Sequence, residues 1–87
     1  MYIVKLKKPV IKFIEKHQGQ KIVDEFLICI EKIQENPNRN DIDIVKLQGY
    51  DFRYRLRIGK FRFLYRVSEN IITITFYDAG SRGDIYK

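Results

Sequence analysis

The segment that decides the fold is FRYRLRIGKFRFLYRV, residues 52–67. In its first part, residues 52–58, apolar side chains alternate with arginines. Successive side chains of a β-strand point to opposite faces, so this pattern predicts a strand with one apolar face and one basic face. Gly59-Lys60 separates this strand from a second one, and glycine at the first position of a two-residue loop favours a type II′ hairpin turn.

The turn fixes which residues of the two strands lie opposite each other. On the buried face we expect three apolar pairs: Ile58–Phe61, Leu56–Phe63 and Tyr54–Tyr65. On the other face Arg57 is expected opposite Arg62, and Arg53 opposite Arg66. Like charges that face each other across strands cost about 0.2–1 kcal/mol per pair. A face that carries two such pairs indicates an anionic partner, most simply a polyanion.

The composition limits the class of protein. A chain of 87 residues with 45% hydrophobic residues is sufficient for one domain with a single core, which we expect to span residues 1–87. The formal net charge is +6, and residues 51–87 carry eight basic residues against four acidic ones. The positive excess therefore lies in the half of the chain that contains the hairpin, which favours nucleic acid or an acidic protein as the partner.

The sequence argues against several kinds of chemistry. Cys29 and His17 are the only residues of their types, so no internal disulfide, zinc cluster or Ser-His-Asp triad is expected. We therefore expect neither a metal nor another cofactor. The sequence contains no apolar run of the length of a signal peptide or a membrane span. From this we expect a soluble cytoplasmic protein that does not bind a membrane.

Regular structure is expected on both sides of the hairpin. Residues 2–6 read as a short strand, and two helices follow, one starting at Pro9 and one running from about Gln20 to Glu35. The short link at Gly19-Gln20 predicts that the helices form an antiparallel hairpin. Residues 36–51 read as a loop in which a few apolar side chains reach the core: Ile42, Ile44, Val45 and Leu47.

A last strand is expected over residues 71–77, after a turn at Glu69-Asn70. This turn would place Val67, Tyr65 and Phe63 opposite Ile72, Ile74 and Phe76. It would also place Tyr77 beside Arg62 on the basic face. The expected fold class is α+β: an N-terminal strand, an antiparallel helical hairpin and a three-stranded antiparallel meander. The helices should cover the apolar face of the sheet, including Phe52, and the arginine face should stay open.

Each candidate residue also has an ordinary structural interpretation. Alternating arginines are common on a solvated sheet face, and Arg82 and Tyr86 could belong to a frayed terminus. Two observations favour a function for the five strand residues: they share one face, and all are arginines, which suit bidentate phosphate contacts. Tyr77 on that face is a candidate platform for stacking an RNA base. Cys29 is most simply a small core residue, and His17 a boundary residue of the first helix.

The order of elements and two segments of the chain resemble the RelE/ParE toxin superfamily. The first segment joins LQG at residues 47–49 to the basic alternating strand and FRFLYRV at residues 61–67; the second is AGSRGDIY at residues 79–86. The resemblance covers essentially the whole chain. It implies a toxin of a type II toxin–antitoxin pair and, for RelE-type members, a ribosome-dependent endoribonuclease that cuts messenger RNA in the ribosomal A site. Those enzymes work without a metal: the 2′-hydroxyl of the RNA attacks the adjacent phosphate and leaves a cyclic phosphate.

The resemblance also implies roles for residues of this chain. Arg53 and Arg55 fall at the family's two basic strand positions, and Arg62 at the position that stabilises the reacting phosphate. Arg82 takes the place of the cation in the tail, and Tyr86 that of the terminal aromatic residue that stacks on a base or handles a proton. These five are the expected catalytic residues. The other expected RNA-binding residues are Arg57, Arg66 and Tyr77.

This sequence departs from the family pattern at two places. RelE-type enzymes can carry lysine at the two basic strand positions, whereas Arg53 and Arg55 are arginines. A guanidinium is a poor proton acceptor, so these side chains are better suited to stabilising charge, and Tyr86 becomes the better candidate for proton transfer. Ser81 stands where many relatives have histidine, which removes one possible acid.

The resemblance further implies a partner and leaves alternatives open. Toxins of this class are held inactive by a RelB-like antitoxin in a heteromeric complex, and the other expected partners are the ribosome and messenger RNA. One alternative is a ParE-like toxin that inhibits DNA gyrase. Others are a non-catalytic RNA-binding module and a degenerate toxin that retains only partner binding.

Overall fold

The computed structural model describes residues 1–39 and 41–81. These residues form two helices and a five-stranded sheet. In chain order the elements are β1 (Ile3–Leu6), α1 (Lys8–Lys16), α2 (Lys21–Glu35), β2 (Ile44–Lys46), β3 (Arg53–Ile58), β4 (Phe61–Ser68) and β5 (Thr73–Ser81). The strand order across the sheet is β1-β5-β4-β3-β2. The pair β1–β5 is parallel, and the other pairs are antiparallel. The predicted α+β class is confirmed.

The β3–β4 hairpin has the predicted register. All six residue pairs from Arg53–Arg66 to Ile58–Phe61 are in place, including the two pairs of facing arginines. Gly59 has a φ of +59°, whereas Lys60 does not have a positive φ. A positive φ at the first loop residue alone is what a type II′ turn requires, so glycine at this position follows directly from the turn type.

The expected pairing between β4 and β5 was wrong by two residues. Residues 69–72 form the loop, β5 begins at Thr73, and Val67 lies opposite Ile74 rather than Ile72. Ile72 adopts an unusual φ of +48° in this loop. A shift by two residues leaves every side chain on its predicted face, and for that reason the alternation of apolar residues could not reveal it.

A β-bulge changes the register once more, between Leu64 and Tyr65. Tyr65 lies opposite Phe76, but Leu64 lies opposite Asp78, so Tyr77 is the extra residue of β5. As a result Arg62 lies opposite Gly80, and the prediction that Tyr77 lies beside Arg62 was wrong. Bulges depend on local geometry that an alternating pattern does not record.

Two further expectations need correction. Residues 36–51 are not wholly a loop, because β2 pairs with β3 and forms an edge of the sheet. Phe52 is not buried: it precedes β3, and 51% of its surface is exposed. Its carbonyl oxygen accepts a hydrogen bond from the amide of Val67, so its backbone continues the hairpin although its side chain is half exposed.

The core lies between the helices and the apolar face of the sheet, as predicted. Both helices contribute residues that pack with inward-facing strand residues in one cluster. At its centre the rings of Phe26 and Phe63 stack with centroids 3.9 Å apart, and Phe13 meets Phe63 edge to face at 5.1 Å. Pro9 lies in the first turn of α1, where a backbone amide has no hydrogen-bond partner within the helix, so proline is tolerated there. In the part of the chain that the structure describes, no helix is long and apolar enough to cross a bilayer.

Tyr65 provides a test of this core. It is fully buried, and its hydroxyl donates a hydrogen bond of 3.2 Å to the carbonyl oxygen of Pro37. Replacing Tyr65 by phenylalanine should lower the free energy of unfolding at pH 7 by about 1 kcal/mol, because the buried carbonyl loses its donor. Urea unfolding followed by circular dichroism measures the change, with the exposed Tyr50→Phe as the control.

The same variant should differ from the wild type at alkaline pH. Burial raises the pKa of Tyr65 in the folded protein above its ordinary value of about 10. The buried neutral phenol therefore contributes full stability below pH 10, and this contribution is lost as the pH rises above that value. Tyr65→Phe should lose less stability than the wild type above about pH 10. Equal losses in the two proteins would contradict the burial of this hydroxyl.

Candidate nucleic-acid interface

The sheet face opposite the helices carries the predicted arginines. We call this surface the basic face and define it by Arg53, Arg55 and Arg57 of β3 with Arg62 and Arg66 of β4. The hairpin register brings all five to one side, with Arg57 next to Arg62 and Arg53 next to Arg66. The row through Arg53 and Arg66 continues over Thr75 of β5 to Lys5 of β1. The sequence pattern did not predict Lys5, because the parallel pairing of β1 with β5 was not foreseen.

The expectation that the whole face stays open was wrong for the part of β4 near the hairpin turn. Arg62 is only 7% exposed, and the neighbouring Leu64 is 6% exposed. The Nη1 atom of Arg62 donates two long hydrogen bonds, of 3.4 Å and 3.5 Å, to the carbonyl oxygens of Gly59 and Phe61. These lengths exceed the usual range for N–H···O bonds, so they hold the side chain only weakly. Arg62 is thus a largely buried cation at the turn end of the hairpin.

Arg53 lies between two tyrosines. Its guanidinium carbon is 4.6 Å from the ring centroid of Tyr50 and 5.3 Å from that of Tyr77. Each distance allows a cation–π interaction, worth about 0.5–1 kcal/mol at an exposed site. Tyr77 therefore lies on the basic face as predicted, although beside Arg53 rather than Arg62. Tyr50 was not among the predicted site residues; the only signal for it was an aromatic ring three positions before a basic strand residue.

Arg55 and Arg57 both bind Asp43, a residue that the sequence pattern placed in a loop. The Nη2 atom of Arg55 lies 2.7 Å from Oδ1 of Asp43, and Nε of Arg57 lies 2.5 Å from Oδ2. The amide of Arg57 also donates a hydrogen bond of 2.9 Å to the carbonyl oxygen of Asp43. Asp43 is therefore fixed at the start of β2 by its backbone, and its carboxylate bridges two arginines of the basic face.

Two predicted site residues, Arg82 and Tyr86, lie outside the described residues. β5 ends at Ser81, which lies opposite Phe61 in the register of β4 and β5. Phe61 directly precedes Arg62 in the sequence. Where the chain continues, Arg82 is the next residue. The roles expected of Arg82 and Tyr86 stay predictions.

The remaining reactive side chains lie away from the basic face. His17 follows α1, where its ring packs 4.2 Å from that of Phe13 and Nδ1 lies 2.9 Å from Oε1 of Gln20. Cys29 lies on α2, and burial raises the pKa of its thiol, which disfavours the reactive thiolate. Within residues 1–39 and 41–81, no three His, Cys, Asp or Glu side chains are grouped so that they could hold a metal ion. What this face offers an anion is a set of guanidinium donors.

Comparison with known proteins identifies the family through structure rather than sequence models. No family model matches the chain, and a search of curated proteins found no match. Among solved structures, the RelB-RelE antitoxin-toxin complex from Methanococcus jannaschii contains a chain with 30% identity and a TM-score of 0.74, with 94% of each chain covered. The archaeal RelE-RelB complex from Pyrococcus horikoshii OT3 gives 28% identity and a TM-score of 0.79, with 95% of this chain and 97% of that chain covered.

A third comparison extends the likeness in fold to bacteria. The isolated RelE toxin of E. coli has a TM-score of 0.79 at 18% identity, with 99% of this chain and 92% of that chain covered. This chain therefore has the RelE fold. At 30% identity over 94% of both chains, the relationship to the M. jannaschii complex goes further, and the chain belongs to the RelE/ParE toxin superfamily. It is a toxin of the type II class.

Proposed function

We propose that this protein is a ribosome-dependent endoribonuclease that cuts messenger RNA in the ribosomal A site. The observation that supports this most is the basic face, where five arginines of two adjacent strands lie on one side of the sheet. Arginine is the residue best suited to paired contacts with phosphate oxygens, and its charge does not depend on pH in the physiological range. Cleavage is expected to take place in the cytoplasm, where messenger RNA is translated.

The proposed reaction needs charge stabilisation and two proton transfers. The 2′-oxygen of the RNA attacks the adjacent phosphorus, the bond from phosphorus to the 5′-oxygen breaks, and a cyclic phosphate remains on the upstream fragment. The proton of the 2′-hydroxyl leaves as the attack proceeds, and the departing 5′-oxygen gains a proton. Arginines near the phosphate stabilise the additional negative charge of the transition state. A metal ion is not part of this scheme.

The structure suggests how these tasks are divided. Arg53, flanked by Tyr50 and Tyr77, is suited to hold a phosphate in a fixed place, not to accept a proton. Arg62 is the least exposed of the five arginines, so its charge acts in a poorly hydrated surrounding, where electrostatic interactions are stronger. We assign charge stabilisation to Arg62 and Arg82, and proton transfer to Tyr86. Arg55, Arg57 and Arg66 bind the RNA backbone, and Tyr77, which lies beside Arg53, stacks on an RNA base.

We also propose a RelB-like antitoxin as the inhibitory partner. The archaeal relatives were solved as complexes of RelE with RelB, and the E. coli relative also as an intact RelBE complex. With a formal net charge of +6, this chain is complementary to an acidic antitoxin segment. Co-expression with the neighbouring small gene should give a stable heteromeric complex.

Replacing Tyr86 by phenylalanine tests the proposed nuclease. Wild-type protein incubated with programmed ribosomes should cut the message in the A site and leave a cyclic phosphate at the new 3′ end. Tyr86→Phe should lower the rate by about 10²–10⁴-fold, the usual contribution of general acid–base catalysis. Its RNA affinity should depend on salt as that of the wild type does, because the number of phosphate contacts is unchanged.

Other outcomes favour other functions. Inhibition of DNA gyrase, which the resemblance to the superfamily leaves open, is the second candidate. A similar fold occurs in a YoeB/ParE toxin from Agrobacterium tumefaciens, with a TM-score of 0.76 at 15% identity. Intact message together with a block of gyrase activity would support that candidate. Salt-dependent RNA binding with neither activity would identify a non-catalytic RNA-binding module.

A further inference from the structure

Asp43 is a negative charge built into an otherwise cationic surface. It presents one carboxylate oxygen to Arg55 and the other to Arg57, so a single two-oxygen anion joins two guanidiniums of β3. A phosphodiester group presents two non-bridging oxygens in the same way, and arginines bind both kinds of anion with the same donors. The pair formed by Arg55 and Arg57 therefore has the geometry of a binding site for one oxyanion, which is occupied by a side chain of the protein.

Backbone hydrogen bonding fixes the position of Asp43 beside this site. Asp43 immediately precedes β2, whose first residue, Ile44, lies opposite Leu56. The hydrogen bond from the amide of Arg57 to the carbonyl oxygen of Asp43 extends this pairing by one residue. The carboxylate thus starts from a fixed point of the sheet edge, and it reaches both arginines without the loss of chain entropy that a mobile loop would suffer.

The ion pair with Arg55 is not a complete match. Only 17% of the Arg55 side chain is exposed, and within the described part of the chain its Nε atom is buried without a hydrogen-bond acceptor. A buried donor without an acceptor is unfavourable. If an incoming anion displaced Asp43, the side chain of Arg55 could turn and direct Nε toward an oxygen. The arrangement with Asp43 is therefore open to exchange for an anion that also gives Nε of Arg55 an acceptor.

We infer that Asp43 occupies an RNA phosphate site on Arg55 and Arg57 in the free toxin and is displaced when RNA binds. The inference rests on the proposed function, in that RNA is the anion that the basic face receives. The inference goes beyond that function by naming a residue that competes with an RNA phosphate and thereby lowers the affinity for RNA. Arg53, Arg62 and Arg66 make no ion pair among the described residues, so Asp43 acts on one part of the basic face.

The test is the variant Asp43→Asn, in which the side chain keeps its shape and loses its charge. The probe is a short single-stranded RNA with 2′-O-methyl groups, which the proposed reaction cannot cleave, and binding is followed by fluorescence anisotropy. We expect RNA to bind about 5-fold more tightly at low salt, because Asp43→Asn removes the charged competitor that pairs with both Arg55 and Arg57. The slope of log K against log salt should steepen by about 0.7, the contribution of one phosphate on a single strand, because the phosphate at this site no longer competes with Asp43.

A matched control separates this effect from a change of net charge. Asp41→Asn removes the same charge two positions away, but Asp41 pairs with Arg39, whose Nη1 donates a hydrogen bond to the carbonyl oxygen of Lys32 on α2. Asp41→Asn should have the same slope of log K against log salt as the wild type. Equal tightening in both variants would show a general electrostatic effect and overturn the inference. Weaker binding by Asp43→Asn would also overturn it, because Asp43 would then orient the arginines for RNA.

A second probe keeps the inference independent of the nuclease. Inorganic pyrophosphate is added to the isotope-labelled protein, and the Nε–Hε resonances of Arg55 and Arg57 are followed by NMR. Asp43→Asn should bind pyrophosphate about 5-fold more tightly than the wild type, with shifts at both arginines. This result would support the inference even if no ribosome-dependent cleavage were found. Unchanged pyrophosphate affinity and unshifted arginine resonances would refute it, whatever the activity on ribosomes.

Discussion

Replacing Arg62 by alanine should lower the rate of messenger RNA cleavage on programmed ribosomes by about 10²–10³-fold. This is the usual loss when one preorganised group that stabilises transition-state charge is removed. Arg62 is the arginine for which the largest effect is expected, because it is 7% exposed and, within residues 1–39 and 41–81, its hydrogen bonds to carbonyl oxygens are long. Its charge is therefore poorly hydrated and available to a phosphate. Single-turnover cleavage, with saturating ribosomes, measures the rate of the chemical step directly.

Two variants show whether this loss belongs to catalysis. Arg66→Ala removes a charge from the same strand and the same face, and it should raise the concentration of ribosomes needed for half-maximal rate with little effect on the saturated rate. Arg62→Lys keeps the charge but not the paired donors, so an intermediate rate is expected. If Arg62→Ala were as active as the wild type at saturation while its unfolding free energy was unchanged, the assignment of Arg62 to charge stabilisation would be wrong.

The part of the fold that the sequence predicted well is the part that local chemistry determines. The β3–β4 register follows from one glycine in a two-residue turn and from unbroken alternation on both sides of it. Once the loop lengthens to four residues, as at residues 69–72, the alternation permits more than one pairing. In the structure the loop has four residues, and β5 contains a bulge opposite Leu64 and Tyr65. Such choices depend on packing between strands, which a single strand does not record.

The candidate site divides in the same way. The common face of the five arginines was predictable, because it depends only on the hairpin register. Asp43, Tyr50 and Lys5 were not, since each reaches the basic face through a tertiary pairing or a loop conformation. The missed strand β2 is the main reason for overlooking Asp43. Had residues 42–46 been interpreted as a strand, alternation with Ile42 and Ile44 would have placed Asp43 on the face of the arginines.

Replacing Phe63 by alanine should destabilise the protein by about 3–5 kcal/mol, the usual cost of removing a buried aromatic side chain. Phe63 is fully buried, stacks on Phe26 with an angle of 12° between the rings, and meets Phe13 edge to face. A domain of this kind has a total stability of about 5–15 kcal/mol, so the variant should lose a large fraction of its stability. Its melting temperature should fall by more than about 10 °C in a circular dichroism melt.

The matched control is Phe52→Ala, which deletes the same side chain at a position that the alternating pattern assigned to the same apolar face. Because Phe52 is 51% exposed and precedes β3, its loss should lower the unfolding free energy by only about 1 kcal/mol, roughly half the value for burying a whole side chain. Equal destabilisation by the two substitutions would mean that the apolar face of β3 begins at Phe52, contrary to the structure. The expected difference also bears on the site, since Phe63 lies between Arg62 and Leu64 in β4. Burial of Phe63 against both helices is what fixes the neighbouring guanidinium on the opposite side of the sheet.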